Sequence, residues 1–199
     1  ACACGQPGAR RTGPAARRDG GIGGTLDIHV QDLSQPGAAD ALLAHCDAQD
    51  RQVDTLVNNA GFATFGDVID TDPRRIETML HLNVVAVTQL SAVFGARMRE
   101  RGSGTILNVG STAGMVPAVR FAAYGATKAY VNAFTAALRE ELRPHGVSVT
   151  CLAPGPVQTK FAQTAEIDSF DGTSMLKKWF ASGRGATAEE VAQAGYDGM

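Results

Sequence analysis

A tyrosine and a lysine carry the clearest candidate chemistry in this sequence. Tyr124 and Lys128 lie four residues apart in the stretch "YGATK", at the start of a predicted helix. That spacing places both side chains on one face of the helix. A neighbouring ammonium group favours the phenolate, so we expect Lys128 to lower the pKa of Tyr124 toward neutrality. A tyrosine tuned in this way can act as a general acid or base, although the same pair also fits a half-buried tyrosine beside a solvated lysine.

Small and polar residues follow four predicted strands at the points where these strands end. Asp32 follows the first strand, Asn58-Asn59-Ala60-Gly61 the second, Ser111 the third and Pro154-Gly155 the fourth. A parallel sheet binds its ligand beyond the carboxyl ends of the strands, so these residues are candidates for a binding site. The small side chains of "AG" in the second group would let a flat ligand approach the backbone closely. Each position alone also fits ordinary turn chemistry.

Four apolar stretches predict the strands themselves. They are "TLDIHVQ" from Thr25, "VDTLVNNAG" from Val53, "GTILNVGS" from Gly104 and "VSVTCLAPG" from Val147. The first alternates apolar and polar residues, whereas the second and third are typical of buried strands. Helical segments separate the strands. This alternation predicts an α/β fold, a doubly wound parallel sheet of the Rossmann-like type with helices on both faces.

Start and stop signals predict the bounds of the helices. Prolines in the first turn accompany two of the candidate N-caps. Helix starts are predicted at Ser34 with Pro36, at Asp72 with Pro73, and at Thr187, which forms a capping box with Glu190. Helix ends are predicted at Gly102 and at Pro144 with Gly146.

The bulk properties are those of a single globular domain. The chain has 199 residues, of which 44% are hydrophobic and 19% charged. A net charge of −2 favours neither nucleic acid nor anionic lipid as a partner. We find no apolar run near the ~18 residues that span a membrane and no signal peptide, so we expect a cytoplasmic protein without a membrane partner. The four cysteines and four histidines show no metal-binding spacing, and we expect reduced, buried thiols and no metal site.

Residues 1–24 differ from the rest of the chain. They consist mostly of Gly, Ala, Arg and Pro and show no helical or strand periodicity, so we expect an irregular segment. The stretch "GGIGG" at 20–24 has the composition of a phosphate-binding loop. No strand-like run precedes it, and a predicted strand follows it where a nucleotide loop needs a helix. We therefore expect that it is not a nucleotide-binding loop.

Six motifs resemble the short-chain dehydrogenase/reductase family in order and spacing. They are "DLS" at 32–34, "NNAG" at 58–61, "LNV" at 82–84, "ILNVGSTAG" at 106–114, "YGATK" at 124–128 and "PGPVQT" at 154–159. The resemblance covers roughly residues 25–195. It implies an oxidoreductase that uses NAD or NADP to interconvert a carbonyl and an alcohol, both small molecules. It also favours the acid–base interpretation of Tyr124 over the solvated-lysine one.

The resemblance implies a role for each of four catalytic residues. Tyr124 would exchange a proton with the substrate oxygen. Lys128 would lower the pKa of Tyr124 and hold the nicotinamide ribose. Ser111 would hydrogen-bond the substrate oxygen as charge develops on it. Asn83 would hold a water molecule that completes a proton relay.

Further residues would bind the cofactor, according to the same resemblance. Asp32 would bond the adenine amino group, and Asn59, Ala60 and Gly61 would line the adenine ribose. Asn58 would instead brace the sheet. The residues that would orient the nicotinamide carboxamide are Pro154, Gly155, Val157 and Thr159.

The segment 160–185 corresponds to the substrate lid of the family. Its large apolar residues suit either an apolar substrate wall or the plain packing of a short helix. These residues are Phe161, Met175, Trp179 and Phe180.

The sequence departs from the family pattern at both ends. The resemblance implies a preceding strand, a Thr-Gly-x3-Gly-x-Gly loop and a helix, together with a further strand and helix near the C-terminus. We therefore expect a non-family segment at 1–24 and a partial Rossmann-like domain at 25–199. This domain would lack the first βαβ unit and the last strand of the family. We further expect either that the sequence is partial or that the segment before Thr25 comes from a shifted reading frame. Such a chain would bind NAD(P) weakly.

The resemblance also bears on assembly and on rival functions. The helices around 73–101 and 124–142 are the usual pairing surface of the family, which makes a homodimer or homotetramer an expectation. Two alternatives to an enzyme stay open at this point. They are an inactive fragment and a non-catalytic Rossmann-fold binding module.

Overall fold

Strands and helices alternate through the described part of the chain, which comprises residues 18–19, 25–159, 161, 165 and 185–199. The computed structural model places strands at Arg18–Asp19 (β1), Thr25–Leu26 (β2), Thr55–Asn58 (β3), Gly104–Val109 (β4), Val147–Leu152 (β5), Val157–Gln158 (β6) and Ala186–Thr187 (β7). Helices cover Ala38–Asp47 (α1), Pro73–Leu80 (α2), Val87–Arg101 (α3), Ala122–Leu142 (α4) and Ala188–Asp197 (α5).

A parallel sheet of three strands, in the order β3-β4-β5, lies at the centre of the fold. Ile106 on β4 packs with Leu90 and Phe94 of α3 in a buried apolar cluster on one face. Side chains alternate along a strand, so Leu107 faces the opposite side, where a Cβ at Gly195 of α5 would lie 3.2 Å from its Cδ2. Helices therefore cover both faces, which confirms the predicted α/β class.

β3 is an edge strand within the described residues. Leu56 and Asn58 are buried, whereas Thr55 and Val57 are exposed, Val57 by 50% of its surface. The prediction of a fully buried strand is therefore wrong for one face. The edge leaves unpaired backbone groups and an apolar side chain in contact with solvent.

One long helix runs from Pro73 to Arg101, as α2 and α3 joined by a π-helical segment at His81–Ala86. The predicted signals are confirmed. The side chain of Asp72 accepts a hydrogen bond from Arg74 N at 3.0 Å, and Gly102 ends the helix at a φ of 72°. No sequence pattern predicted the π-helical segment.

This long helix also corrects the expectation about apolar runs. Among the described residues, one helix, Pro73–Arg101, is long enough and, by composition, apolar enough to cross a membrane. In this structure 44% of its most apolar stretch is buried. Leu90, Phe94 and Met98 belong to the apolar cluster that faces the sheet, which accounts for the apolar composition.

Two predictions near the start of the described chain are wrong. The predicted strand from Thr25 ends at Leu26, and Val30 is 56% exposed, because no described strand lies beside residues 27–31 to share ladder hydrogen bonds. Ser34 does not cap α1. Its N–H and hydroxyl both donate to Asp32 Oδ1, at 2.9 Å and 2.7 Å, and the N-cap is Gly37 with a φ of 77°. A local turn thus competes successfully with the helix start.

The remaining helix signals are confirmed. Gly146 follows the end of α4 with a φ of 73°, a left-handed conformation that favours glycine. Thr187 and Glu190 form the reciprocal capping box of α5. Cys46 and Cys151 are thiols, but both are only half-buried, since each lies where its helix or strand meets the surface.

A network of buried amide and hydroxyl groups joins the sheet to its helices. Asn58 Nδ2 donates to Asn108 Oδ1 at 2.8 Å and to Ser91 Oγ at 3.1 Å. Asn108 Nδ2 donates in turn to Thr135 Oγ1 at 3.1 Å. The network therefore links β3 and β4 to α3 and α4, and it confirms that Asn58 braces the sheet.

Removal of the central amide should destabilise the fold. Asn108→Ala would leave the Asn58 amide and the Thr135 hydroxyl without this buried partner, and we expect it to lower the free energy of unfolding by about 2–3 kcal/mol. Urea denaturation would measure the change. The exposed Asn59 offers a matched control, since Asn59→Ala should stay within about 0.5 kcal/mol. Equal effects of the two substitutions would contradict the bracing role.

Candidate active site

The first turns of α4 bring Tyr124 and Lys128 to the carboxyl edge of the sheet. Both side chains are buried, with 8% and 7% of their surface exposed. Lys128 Nζ lies 5.9 Å from the centroid of the Tyr124 ring and donates a hydrogen bond to Val109 O at 2.7 Å. The lysine therefore spans from the helix to the last residue of β4, next to the tyrosine.

The expected lowering of the Tyr124 pKa is wrong for this structure. Burial raises the pKa of Tyr124, and a hydrogen bond with the Ser111 side chain opposes part of that shift. The Lys128 ammonium is bonded to a backbone carbonyl rather than to the phenol, so loss of hydration decides the direction. The neutral phenol is consequently the favoured form at neutral pH.

Burial has the opposite effect on the lysine. It lowers the pKa of Lys128 from 10.5 to about 8, with a smaller opposing effect from the nearby Cys151 thiol group. A group with such a pKa can change its charge within the range where enzymes work.

Ser111 lies immediately beyond β4, in an extended conformation. Its Oγ accepts a hydrogen bond from Ala113 N at 3.1 Å and can donate to Pro154 O at 3.4 Å. The structure thus brings Ser111 beside Tyr124, and it brings Pro154 beside Ser111. Three of the predicted site residues meet here.

Asn83 lies in the π-helical segment and is 1% exposed. Its Oδ1 accepts from Phe62 N at 3.1 Å, while its Nδ2 donates to Phe62 O at 2.9 Å and to Thr127 Oγ1 at 3.1 Å. Thr127 Oγ1 donates to Tyr124 O at 2.7 Å. A chain of hydrogen bonds therefore connects Asn83 to the backbone of the predicted catalytic helix.

A glycine allows the backbone after β3 to approach these groups closely. A Cβ at Gly61 would lie 2.9 Å from Asn83 Oδ1 and 3.9 Å from Lys128 Nζ. A larger residue at this position would overlap with the Asn83 side chain. The neighbouring Asn59 is exposed and Ala60 half-buried, at the end of β3.

Two short segments hold the other predicted cofactor residues, the 154–155 loop and the stretch from Val157 to Thr159. Pro154 O accepts a hydrogen bond from Thr112 N at 3.1 Å, which attaches the 154–155 loop to the end of β4. Val157 lies in β6, and Thr159 Oγ1 accepts from Phe161 N at 3.2 Å.

Asp32 lies in the turn before α1, where its recorded contacts are local. Its carboxylate accepts from Ser34 and from Gln35 Nε2 at 3.2 Å. The hydrogen bond from the Ser34 hydroxyl holds the pKa of Asp32 below its usual value.

Aromatic rings pack against Tyr124. The Phe121 and Phe161 ring centroids lie 5.7 Å and 5.5 Å from that of Tyr124, and Phe65 lies 4.9 Å from Phe121. Sequence reasoning named only Phe161 and missed Phe65 and Phe121, whose only signal was their position just after a strand end and just before the catalytic helix. Three other predicted wall residues, Met175, Trp179 and Phe180, lie outside the described residues.

Comparison with known proteins identifies the family. The sequence matches the short chain dehydrogenase family over residues 10–169, and the chain belongs to this family. The match begins before Thr25, where the motifs indicated that the family sequence starts. The predicted domain boundary at 24–25 stays a prediction.

Individual relatives agree with this assignment. "Probable oxidoreductase EphD" of Mycobacterium tuberculosis is 34% identical over 143 residues, which are 71% of this chain and 24% of that protein. Cyclopentanol dehydrogenase of Comamonas sp. is 34% identical over 179 residues, covering 89% of this chain and 70% of that protein. A short-chain dehydrogenase from Sphingobium yanoikuyae in complex with NADPH superposes with a TM-score of 0.72 at 29% identity, over 85% of this chain and 63% of that one. The chain thus spans about a quarter of the first protein and about two thirds of the others.

The buried lysine should make stability depend on pH. Lys128→Met removes a charge that burial disfavours, so we expect it to raise the free energy of unfolding at pH 7 by up to about 3 kcal/mol. Between about pH 8 and 10.5 the unfolded chain keeps the Lys128 proton that the folded chain has released, so the wild type gains stability with pH and the difference shrinks. Denaturant titrations at pH 7 and 9.5 would measure it.

Arg139→Met provides the control for this prediction, since Arg139 is an exposed cation on the same helix. Its effect should be the same at both pH values. A difference between wild type and Lys128→Met that does not change with pH would contradict the lowered pKa.

Proposed function

We propose that the chain is an NAD(P)-dependent oxidoreductase that interconverts a carbonyl and an alcohol, with Tyr124 as the general acid or base. The observation that carries this proposal is the convergence of Ser111, Tyr124 and Lys128 in one buried group beyond the end of β4. Family membership supports the reaction class. The NADPH in the Sphingobium structure and the alcohol named for the Comamonas relative support the cofactor and the substrate type.

The nicotinamide half of a dinucleotide fits the residues at this edge. The Lys128 ammonium lies beside Gly61, and an ammonium donates well to ribose hydroxyls. When bound, such a cofactor supplies or accepts the hydride. The residues proposed to hold it are Asp32, Asn59, Ala60, Gly61, Tyr124, Lys128, Pro154, Gly155, Val157 and Thr159.

Tyr124 is proposed to exchange the proton of the reaction. Its raised pKa keeps the phenol protonated at neutral pH, so it is ready to give a proton to a carbonyl oxygen during reduction. In the reverse direction the phenolate must accept the alcohol proton. The ammonium form of Lys128, 5.9 Å from the ring centroid, would favour that phenolate.

Ser111 and Asn83 are proposed to support the proton exchange. The Ser111 hydroxyl has a long contact of 3.4 Å to Pro154 O, which it can exchange for a shorter one to a substrate oxygen. Asn83 holds the Phe62 backbone and, through Thr127, the first turn of α4 that carries Tyr124. Ser111 thus serves the substrate oxygen, and Asn83 keeps Tyr124 in its position.

The aromatic rings favour an apolar substrate. The rings of Phe161 and Phe121 pack against the Tyr124 ring at centroid distances of 5.5 Å and 5.7 Å. A hydrophobic surface at this position stabilises a cyclic or aromatic ketone through buried apolar area and disfavours a charged keto acid. The substrate class is therefore proposed to be an apolar, bulky carbonyl compound or its alcohol.

Loss of the phenol hydroxyl should remove the activity. We expect Tyr124→Phe to reduce the oxidation of NADPH or NADH with a ketone by about 10²–10⁴-fold, because the proton donor is gone. The loss of absorbance at 340 nm would be followed with a panel of ketones. Tyr130→Phe is the matched control, since Tyr130 lies on the same helix, 40% exposed, and bonds Thr88. A wild-type chain inert toward the whole panel would contradict the proposed enzyme and favour a binding module.

The substrate wall has its own test. Phe161→Ala should lower kcat/KM for cyclohexanone by about tenfold because apolar contact area is lost, and should leave acetone nearly unaffected. Phe134→Ala removes a ring that stacks on Tyr130 elsewhere on α4, and it should change neither value. A preference of the wild type for pyruvate over cyclohexanone would refute the apolar substrate class.

A further inference from the structure

The side chain of Asn132 holds the backbone of Ser111 from both ends of its amide. Asn132 Nδ2 donates to Ser111 O at 3.0 Å, and Ser111 N donates to Asn132 Oδ1 at 3.4 Å. Asn132 lies on α4 one turn after Lys128. The contact therefore attaches the residue beyond β4 directly to the helix that carries Tyr124.

This amide takes the place of a neighbouring strand. The residues on either side of Ser111 donate their N–H groups to Leu152 O and Pro154 O, at and just beyond the end of β5. Successive backbone groups of a strand point to alternate sides, so the N–H and C=O of Ser111 face away from β5. On that side β3 ends at Asn58, before it could reach Ser111. Asn132 supplies the missing acceptor and donor.

Two neighbours fix the orientation of the Asn132 amide. Cys151 Sγ lies 3.5 Å from Asn132 Oδ1 and donates to it, so the oxygen faces the N–H of Ser111 and a thiol. A flipped amide would set its own N–H groups against these donors. A Cβ on Gly110 would overlap with Asn132 Oδ1, so the glycine is required for the amide to fit.

We propose that Asn132 is a positioning residue, which fixes Ser111 so that its hydroxyl stays within reach of Tyr124 and of the substrate oxygen. This inference rests on the proposed function of Ser111 as the donor to that oxygen. Asn132 acts only through the Ser111 backbone and contacts none of the reacting groups. The effect on rate comes from geometry, because a donor displaced by a fraction of an ångström stabilises developing charge less well.

A double-mutant cycle tests the link to Ser111. Asn132→Ala should lower kcat about tenfold and leave KM for NADPH within about twofold. In a Ser111→Ala background the same substitution should have no further effect, because the group that it positions is already absent. Thr135→Val is the control. Thr135 lies one turn further along α4, is also polar and is more deeply buried, and bonds Asn108 instead.

Hydrogen exchange of the Ser111 amide tests the contact without any activity. The amide should lose protection in Asn132→Ala and keep it in Thr135→Val, as measured by NMR on the full chain. A wild-type protection pattern in Asn132→Ala overturns the proposal. A fall in kcat that is equally large in the Ser111→Ala background also overturns it. An inactive wild type, or full activity of Ser111→Ala, refutes the proposed function of the site, and the exchange measurement still decides whether Asn132 holds Ser111.

Discussion

The hydrogen bond from the buried Lys128 ammonium to Val109 O is the constraint on which the site depends. A cation in a place with 7% exposure is unfavourable unless polar groups compensate for the lost hydration. The last carbonyl of β4 provides part of that compensation, and the hydrogen bond fixes α4 to the end of the strand. Gly114 completes the close approach, since a Cβ there would overlap with the backbone of α4 at Lys128 and Ala129. α4, the end of β4 and the loop at Gly114 therefore all lie close to Lys128.

Asparagine side chains extend this arrangement away from the lysine. Asn58 and Asn108 join two strands, Asn83 holds the loop after β3, and Asn132 holds the backbone after β4. Asn83 and Asn132 each use a donor and an acceptor, as a peptide group does, and they bind backbone that lies beyond the ends of β3 and β4. Buried amides therefore continue the sheet beyond its own ends. The site is built on that continuation and not on the strands alone.

Local signals in the sequence predicted the parts of the fold that local interactions decide. Asp72 with Pro73, Gly102 and the Thr187–Glu190 box each act within one turn of backbone, so residue types alone locate these helix ends. The position of Ser34 shows the limit of this reasoning, because two short-range patterns compete and the turn closed by Asp32 forms. The alternation of "TLDIHVQ" predicted a strand along this whole stretch, but only Thr25 and Leu26 form one, since strand pairing depends on a partner elsewhere in the chain.

In the candidate site, too, local features were predictable from the sequence and features that depend on packing were not. Tyr124 and Lys128 were predictable from helical spacing, but the direction of the Tyr124 pKa was not, because burial is a property of the packed molecule. The π-helical segment around Asn83 and the rings of Phe65 and Phe121 likewise depend on contacts across more than twenty residues.

These two pKa shifts act in opposite directions on one reaction. Burial keeps the Tyr124 phenol protonated, and the same burial brings the Lys128 ammonium close to losing its proton near pH 8. At neutral pH the site therefore holds a protonated phenol beside an ammonium, which is the charge state that the proposed carbonyl reduction would use. Alcohol oxidation needs the phenolate, and that form is favoured only while the lysine keeps its charge. The lowered pKa of Lys128 limits the pH range over which the ammonium can support the phenolate.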